Sequence, residues 1–326
     1  MNQRDLKESL GDLNLEPLWE RTEGGLRPGP QPDAPQIWRW ADIEPLIDET
    51  ISAVPMEMVD RRVLTLRNPD PRRRVTTTTR SINCGIQILM PGETAPPHRH
   101  SPNALRVALE GSGGETTVNG KPYPMSRGDV ILTPSWTSHA HAHRGHGRVV
   151  WIDFLDVPLY RDLDLIFFEI GDSPRPADAP TVGRVHDGVL PEGRFPWADV
   201  RADLQSRRGR EDTGATFDYV DAAVGDAVFP TLDCRAHRLD ADGPVSERRS
   251  SANSVCLAIE GEGESRIGDA LLSWKPNDIF TVPHWCWHKH RATGAGAPAF
   301  LLEVSDRPAL RRLGMLQENR RADTGR

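Results

Sequence analysis

Residues 105–141, LRVALEGSGGETTVNGKPYPMSRGDVILTPSWTSHAH, return in altered form at 255–290 as VCLAIEGEGESRIGDALLSWKPNDIFTVPHWCWHKH. Both copies hold a strand-like run ending in Glu-Gly, a later run entered through an aspartate (Asp129, Asp278), and then Pro-x-Trp-x-x-His. A unit that occurs twice implies a fold built twice. In the first copy, 105–109, 116–118 and 129–133 are short β-rich runs. They are divided by a Gly-rich turn at 110–114 and by Asn119-Gly120, a strong hairpin signal. The pattern predicts an antiparallel chain folding back on itself as a small barrel, twice over.

His98-Arg99-His100 stands just before the first copy, and His139 closes its Pro-x-Trp-x-x-His. Residues two apart on a strand share a face, so His98 and His100 can meet one ion while Arg99 turns away. His139 becomes the third ligand if 105–133 folds back as two or three strands. Aligned on the repeat, His139 matches His288 and His141 matches His290, whereas Arg248 and Ser250 stand where His98 and His100 should be. The duplication therefore leaves one complete metal site. His288 and His290 read as vestigial or structural, with Trp285 and Trp287 filling the space a metal has left.

The rest of the chain frames these barrels. Residues 5–13 and 40–54 have apolar positions near helical spacing, and 23–35 is a Gly/Pro-rich arm of the kind that wraps a neighbour. Short strands begin at 63–66 and 84–89. The organisation expected is helices and arm over 1–60, a metal-bearing barrel over 61–170, a linker packing on the barrels over 171–232 (with a strand-like run at 216–220), a degenerate barrel over 233–316 and a frayed polar tail over 317–326. At 326 residues the chain can bury a sizeable core. A net charge of -7 argues against a nucleic-acid partner, and no apolar window approaches the roughly 18 residues of a membrane span. Cys84, Cys234, Cys256 and Cys286 are scattered without a CxxC, and no apolar leader precedes them, which predicts free thiols and a cytoplasmic protein.

The motifs resemble those of the bicupins, and within them the gentisate 1,2-dioxygenase group, which includes the salicylate and 1-hydroxy-2-naphthoate dioxygenases. Gly92, His98, His100 and Gly111 fit the first cupin motif, with Ala104 at its usual glutamate; Gly128, Pro134 and His139 fit the second, with Trp136 replacing its glycine and His143 its asparagine. Pro-Gly-Glu-x-Ala-Pro-x-His-Arg-His at 91–100, Thr-Pro-x-Trp-x-x-His at 133–139 and Trp-x-Asp-x-Leu-Asp-x-Pro-Leu at 151–159 look like the gentisate group in particular. The likeness runs from 61 to 315. It implies an all-β-dominated bicupin with two double-stranded β-helix (jelly-roll) barrels, and a homotetramer or dimer with the arm as an exchanged contact.

It also implies the chemistry. Three imidazoles with open positions suit non-haem Fe(II), zinc or copper; the resemblance selects Fe(II), one per chain, in the first barrel. With no carboxylate ligand at Ala104 the ion keeps its full charge, which a 2-hydroxybenzoate would neutralise by chelating through its carboxylate and ortho hydroxyl. The implied reaction inserts both atoms of O2 between the carboxyl- and hydroxyl-bearing carbons, with gentisate as one substrate and salicylate or its 5-nitro or 5-amino derivatives as the alternative. A decarboxylase or isomerase would be expected to keep the glutamate and both metal sites. A non-catalytic ligand-binding bicupin would need no intact triad.

Among the remaining candidates, His141 faces the same cavity as His139 if the strand continues, and the resemblance makes it a substrate-contacting or proton-transferring histidine; otherwise it is a rim residue. Arg106, an even number of positions after His100, aims inward to hold a substrate carboxylate or a barrel carboxylate. Gln87 contacts substrate or satisfies a backbone group. Asp153 orients His141 or a ligand histidine, or ends its strand as a hydrogen-bonded carboxylate. Arg62 alone is kept from a basic cluster that includes Arg61, because the resemblance places an active-site arginine there. Phe154, Val107, Asn83 and Met58 depart from the group's pattern and are expected to reshape the cavity around the ring's substituent.

Overall fold

The computed structural model describes residues 3–17, 29–71, 76–171, 193–207, 214–222, 225–241, 246–294 and 296–321. Residues 1–32 form one compact unit and 33–326 a second. In the first unit helix α1 spans Gln3–Asp12. Residues 18–28, which include the first part of the Gly/Pro-rich arm, and the early part of the linker at 172–192 lie outside the described residues. None of the helices described is long and apolar enough to cross a membrane.

The second unit is built from two matching halves. The first runs β1 (Ile37–Trp38), α2 (Trp40–Ala53), β2 (Arg62–Leu66), β3 (Asn83–Leu89), β4 (Thr94–His100), β5 (Ala104–Glu110), β6 (Gly114–Val118), β7 (Lys121–Pro124), β8 (Val130–Thr133), β9 (His139–His143), β10 (Val149–Leu155), α3 (Val157–Asp162) and β11 (Phe168–Ile170). The second runs β12 (Arg194–Phe195), α4 (Trp197–Ser206), β13 (Ala215–Asp221), β14 (Asp226–Ala227), β15 (Asp233–Leu239), β16 (Glu247–Ser250), β17 (Ser254–Glu260), β18 (Gly263–Ile267), β19 (Ala270–Trp274), β20 (Ile279–Val282), β21 (His288–Ala292), β22 (Ala299–Ser305), α5 (Arg307–Arg312) and β23 (Glu318–Arg321). The first barrel is formed by sheets β12-β8-β5-β10-β3-β2 and β11-β4-β9-β6-β7, the second by β1-β20-β17-β22-β15-β13-β14 and β19-β18-β21-β16-β23. This is the bicupin architecture.

Strand alternation divides each large sheet between two cores. On β5 and β10, Leu105, Val107, Val150, Ile152 and Phe154 join Val255, Leu257, Leu302 and Val304 in one cluster shared by the two barrels. The alternate residues Ala108, Val149 and Trp151 line the first barrel's interior with Leu89, Met125 and Ile131. Burial on both faces hides the period-2 pattern that a half-exposed strand would show. It also corrects one expectation: Phe154 and Val107 point into the inter-barrel core and cannot shape the metal cavity. Met58 is exposed.

The halves exchange their leading segments. β1 pairs with β20 of the second barrel, and β12 with β8 of the first. The two aspartates of the repeat explain the docking. Asp129 accepts the Trp197 N–H that opens α4 (2.9 Å), and Asp278 accepts the Trp40 N–H that opens α2 (2.7 Å). Each supplies an acceptor to a helix-start donor that has no partner within its own helix. Beyond the barrels a second pair of contacts crosses between halves: Thr231 donates to Asp156 and Ser81 donates to Asp306.

Three parts of the expected organisation therefore change. Residues 37–38 of the N-terminal 1–60 segment and 194–195 and 215–221 of the linker are sheet strands, β13 pairing with β15 through Ala215↔Arg238 to Tyr219↔Cys234. In the tail read as frayed, Glu318–Arg321 pairs with β16. Polar composition did not prevent pairing there, because an edge strand needs only its backbone groups to complete the ladder.

Candidate metal centre

Local chain geometry aims three imidazoles at one point. Pro96 and Pro97 interrupt the ladder between β4 and β9, where the register breaks between Ala95 and His98, since proline has no N–H to give. The freed Pro96 carbonyl lies 3.2 Å from His98 Nδ1, Pro102 O lies 2.8 Å from His100 Nδ1, and Thr137 O lies 3.0 Å from His139 Nδ1. Each Nδ1–H thus donates to a backbone carbonyl, leaving Nε2 with its lone pair for an ion. Ligand atoms of the three rings lie within 4.8 Å of one another. Burial, aided by the charge of Arg61, lowers His98 to about 3; burial lowers His100 to about 4 and His139 well below the usual histidine value. The donor set is neutral at neutral pH, as ligation requires. Ala104, at the position of the usual cupin glutamate, is buried and offers no ligand atom.

The turn carrying His139 is strained at one residue. Trp136 adopts φ +66°, a conformation that favours glycine. Its N–H donates to His100 O (2.8 Å), tying the two ligand loops together, and Arg99 lies over its ring at 5.6 Å. Arg99 turns away from the centre, its Nε donating to Glu169 Oε2 (2.6 Å).

Deeper in the barrel lies a polar relay. Arg106 and Asp153 are cross-strand partners on β5 and β10, with Nε to Oδ1 at 2.8 Å. Trp151 Nε1 donates to the other oxygen of Asp153 (3.0 Å). Arg106 Nη1 donates to Thr116 Oγ1 (2.9 Å), which lies 3.1 Å from His141 Nδ1. Asp153 therefore reaches His141 only through Arg106 and Thr116, not directly as the sequence suggested. Burial and then the Arg106 charge hold His141 well below its usual pKa. Gln87, paired with Trp151 across β3 and β10, shares the interior face, and its Nε2 is buried with no hydrogen-bond partner among the described residues; the same is true of Asn83 Oδ1.

The arginine expectation also changes. Arg62 pairs with Ile88, a member of the inter-barrel core, and its Nη2 donates to Glu93. Arg61 falls on the other face, that of Gln87 and Gly85. Its guanidinium lies 5.3 Å from the Phe168 ring, whose centroid is 5.4 Å from that of His98. Its Nε is buried and has no hydrogen-bond partner among the described residues. Strand alternation from Val63, the partner of Gln87, is the signal that distinguishes the two arginines; nothing local marked Thr116 or Phe168.

A jelly-roll barrel holding three converging histidines, with cations beside them, is the architecture of a cupin metalloenzyme, and residues 85–156 match the cupin domain family. Relatives narrow the class. The chain is 32% identical to a 5-aminosalicylate 1,2-dioxygenase from Comamonas sp over 98% of its length and 91% of the relative's, and 34% identical to a gentisate 1,2-dioxygenase from Ralstonia sp over 97% and 94%. The crystal structure of a salicylate 1,2-dioxygenase from Pseudaminobacter salicylatoxidans superimposes with a TM-score of 0.86 at 30% identity, covering 98% of this chain and 97% of that one. The chain belongs to the gentisate 1,2-dioxygenase group of the bicupins, and is a ring-cleaving dioxygenase.

Proposed function

We propose that the chain holds one Fe(II) in its first barrel through His98, His100 and His139, and cleaves a 2-hydroxybenzoate between its carboxyl- and hydroxyl-bearing carbons with O2. The observation that carries this reading is the conjunction of a neutral, carboxylate-free triad with two guanidinium groups. Such a centre favours an anionic, chelating substrate. Bound iron would supply the redox-active position at which substrate and O2 meet. Arg106 is held in place by its ion pair with Asp153 and its hydrogen bond to Thr116, and its guanidinium is offered to a substrate carboxylate. Arg61 takes over at the rim the role expected of Arg62.

His141 serves as the proton acceptor for the substrate hydroxyl. Thr116 receives Arg106 Nη1–H and has its own proton directed at Met125 Sδ (3.7 Å), so its remaining lone pair accepts Nδ1–H of His141 and leaves Nε2 as the base. Asp153 holds Arg106 in place and so acts on His141 at one remove. Gln87 Nε2 and Asn83 Oδ1, a donor and an acceptor with nothing to bind, read the ring's substituents. An orphaned acceptor favours a substituent that donates, a hydroxyl or an amine.

Oxygen uptake by the Fe(II)-loaded protein with gentisate, salicylate, 5-aminosalicylate, 5-nitrosalicylate and 1-hydroxy-2-naphthoate tests this reading. Consumption with none of them refutes it. The cytoplasmic location draws support from the four free cysteines, three of them buried. Assembly into a homo-oligomer is supported by the exposed apolar side chains of Leu163, Leu165, Phe168 and Ile170.

A further inference from the structure

Asn103 is fully buried beside the two loops that carry metal ligands, and both ends of its side-chain amide are bonded. Its backbone N–H donates to Asp156 Oδ1 (2.8 Å) and its Nδ2 to Asp156 Oδ2 (2.9 Å) and Thr231 Oγ1 (3.1 Å), while its Oδ1 accepts the Ser135 N–H (2.9 Å). Thr231, from the second half, donates in turn to Asp156. The carbonyl that takes His100 Nδ1–H belongs to Pro102, the residue before Asn103, and the one that takes His139 Nδ1–H belongs to Thr137, just beyond Ser135. One side chain therefore ties together the two stretches of backbone that set the ring angles. Trp136, strained at φ +66°, lies between Ser135 and Thr137 and needs such neighbours to hold it.

The second barrel repeats this arrangement bond for bond, yet among the described residues the three-ligand cluster belongs to the first barrel alone. Asn253 N–H donates to Asp306 Oδ1 (2.8 Å), its Nδ2 to Asp306 Oδ2 (3.1 Å) and Ser81 Oγ (3.3 Å), and its Oδ1 accepts the His284 N–H (3.2 Å). Ser81, here from the first half, donates to Asp306. The residues that this copy frames are different. The Trp285 N–H reaches Ser250 O as the Trp136 N–H reaches His100 O, and β16 meets β21 at Arg248↔His288 as β4 meets β9 at His98↔His139. Arg248 Nε donates to His288 Nε2 at 3.0 Å, so a guanidinium covers the nitrogen that would face an ion. That corrects the expectation that Trp285 and Trp287 fill the space; Arg249 instead lies over them, 4.3 Å and 4.7 Å from their rings.

We propose that Asn103 is a positioning residue of the metal centre, locking the His100 loop to the turn that carries His139, and that Thr231 makes this lock depend on the docking of the second half. The inference rests on the assignment of the ion to His98, His100 and His139. An asparagine suits the place because it donates and accepts at once, which neither an ionised aspartate nor an aliphatic side chain can do. At full burial both bonds must be kept, since an unpaired amide there is costly. A slackened lock lets the Pro102 and Thr137 carbonyls drift, and the imidazoles turn with them. Ion affinity is sensitive to such drift, because groups that orient the ligands typically contribute about 10–100-fold. Duplication supplies an internal control: Asn253 makes the same bonds and orients no ligand, so only the first copy couples the fold to the metal.

Paired variants of the full-length protein test this. Metal-free Asn103→Ala and Asn253→Ala are compared in urea unfolding and then titrated with Co(II), read by its ligand-field absorption bands and by competition with a chelator. Both should lose unfolding midpoint, but Asn103→Ala alone should bind Co(II) about 10–100-fold more weakly, with altered bands. Thr231→Val should weaken binding in the same direction and Ser81→Ala should not, and this milder pair decides the matter if Asn103→Ala does not fold. Parent affinity and bands in Asn103→Ala, or in Thr231→Val, overturn the proposal. So does equal weakening in Asn253→Ala, which would reduce the effect to a general loss of stability. The underlying assignment fails separately: a parent protein that binds no Co(II), or binds it unchanged in His98→Ala, removes the metal centre and the lock with it.

Discussion

Arg106 and Asp153 face each other across β5 and β10 inside the first barrel, the guanidinium Nε 2.8 Å from the carboxylate. Each is the other's compensation for burial. Asp153→Ala would strand a cation in the barrel and should destabilise the fold by about 3–5 kcal/mol. Arg106→Met/Asp153→Leu should recover most of that stability in urea unfolding while remaining inactive. A double variant no more stable than Asp153→Ala would show that the pair is not what holds this region.

Metal content separates the two barrels. His98→Ala should abolish stoichiometric iron binding, measured by elemental analysis after anaerobic loading. His288→Ala should leave it intact, because Arg248 already occupies the nitrogen facing inward. Iron lost from the His288 variant and retained in the His98 variant would reverse the assignment.

The two neighbouring arginines should fail differently. Arg61→Ala removes a cation that has no ion-pair partner among the described residues and should raise KM about tenfold or more with little change in unfolding midpoint. Arg62→Ala leaves Glu93 without its buried partner and should lower stability by about 1–3 kcal/mol. Equal effects on stability would remove the distinction.

Asp156 gives the fold a pH signature. Burial raises its carboxyl from 3.8 to about 6, against the hydrogen bonds from Asn103 and Thr231. Between those values the folded state binds the proton more tightly than the unfolded state. This group's contribution to stability is therefore fully present below pH 3.8, falls as pH rises through 6, and costs about 3 kcal/mol at pH 7 relative to an unshifted carboxyl. Asp156→Asn cannot ionise. The parent's unfolding free energy minus the variant's should increase as pH drops from 7 to 5; a flat difference would refute the linkage.

Legibility in the sequence followed the physics of each element. The His98/His100 spacing, the Asn119-Gly120 turn and the Pro-x-Trp-x-x-His repeat are local, and each points to an arrangement the structure contains: converging imidazoles, the β6–β7 hairpin and a doubled barrel. The face that Phe154 presents was not legible, because both faces of β10 are buried and alternation leaves no mark. Choosing Arg61 over Arg62 required the register of β2 on β3, which depends on partners more than 20 residues away. The exchanged arms were hidden for a related reason: β1 and β12 have two residues each, too few for any periodicity.

That exchange bears on how the polypeptide is made. β1 and α2 leave the ribosome long before Asp278, the acceptor on which α2 begins, has been translated. The first barrel in turn lacks β12 until residues 194–195 follow it. Neither half can complete itself from its own residues, and the leading segment must wait for residues 278–282 before it has a place to rest. Biosynthesis thus ends in a mutual closure, in which the two halves reach maturity together.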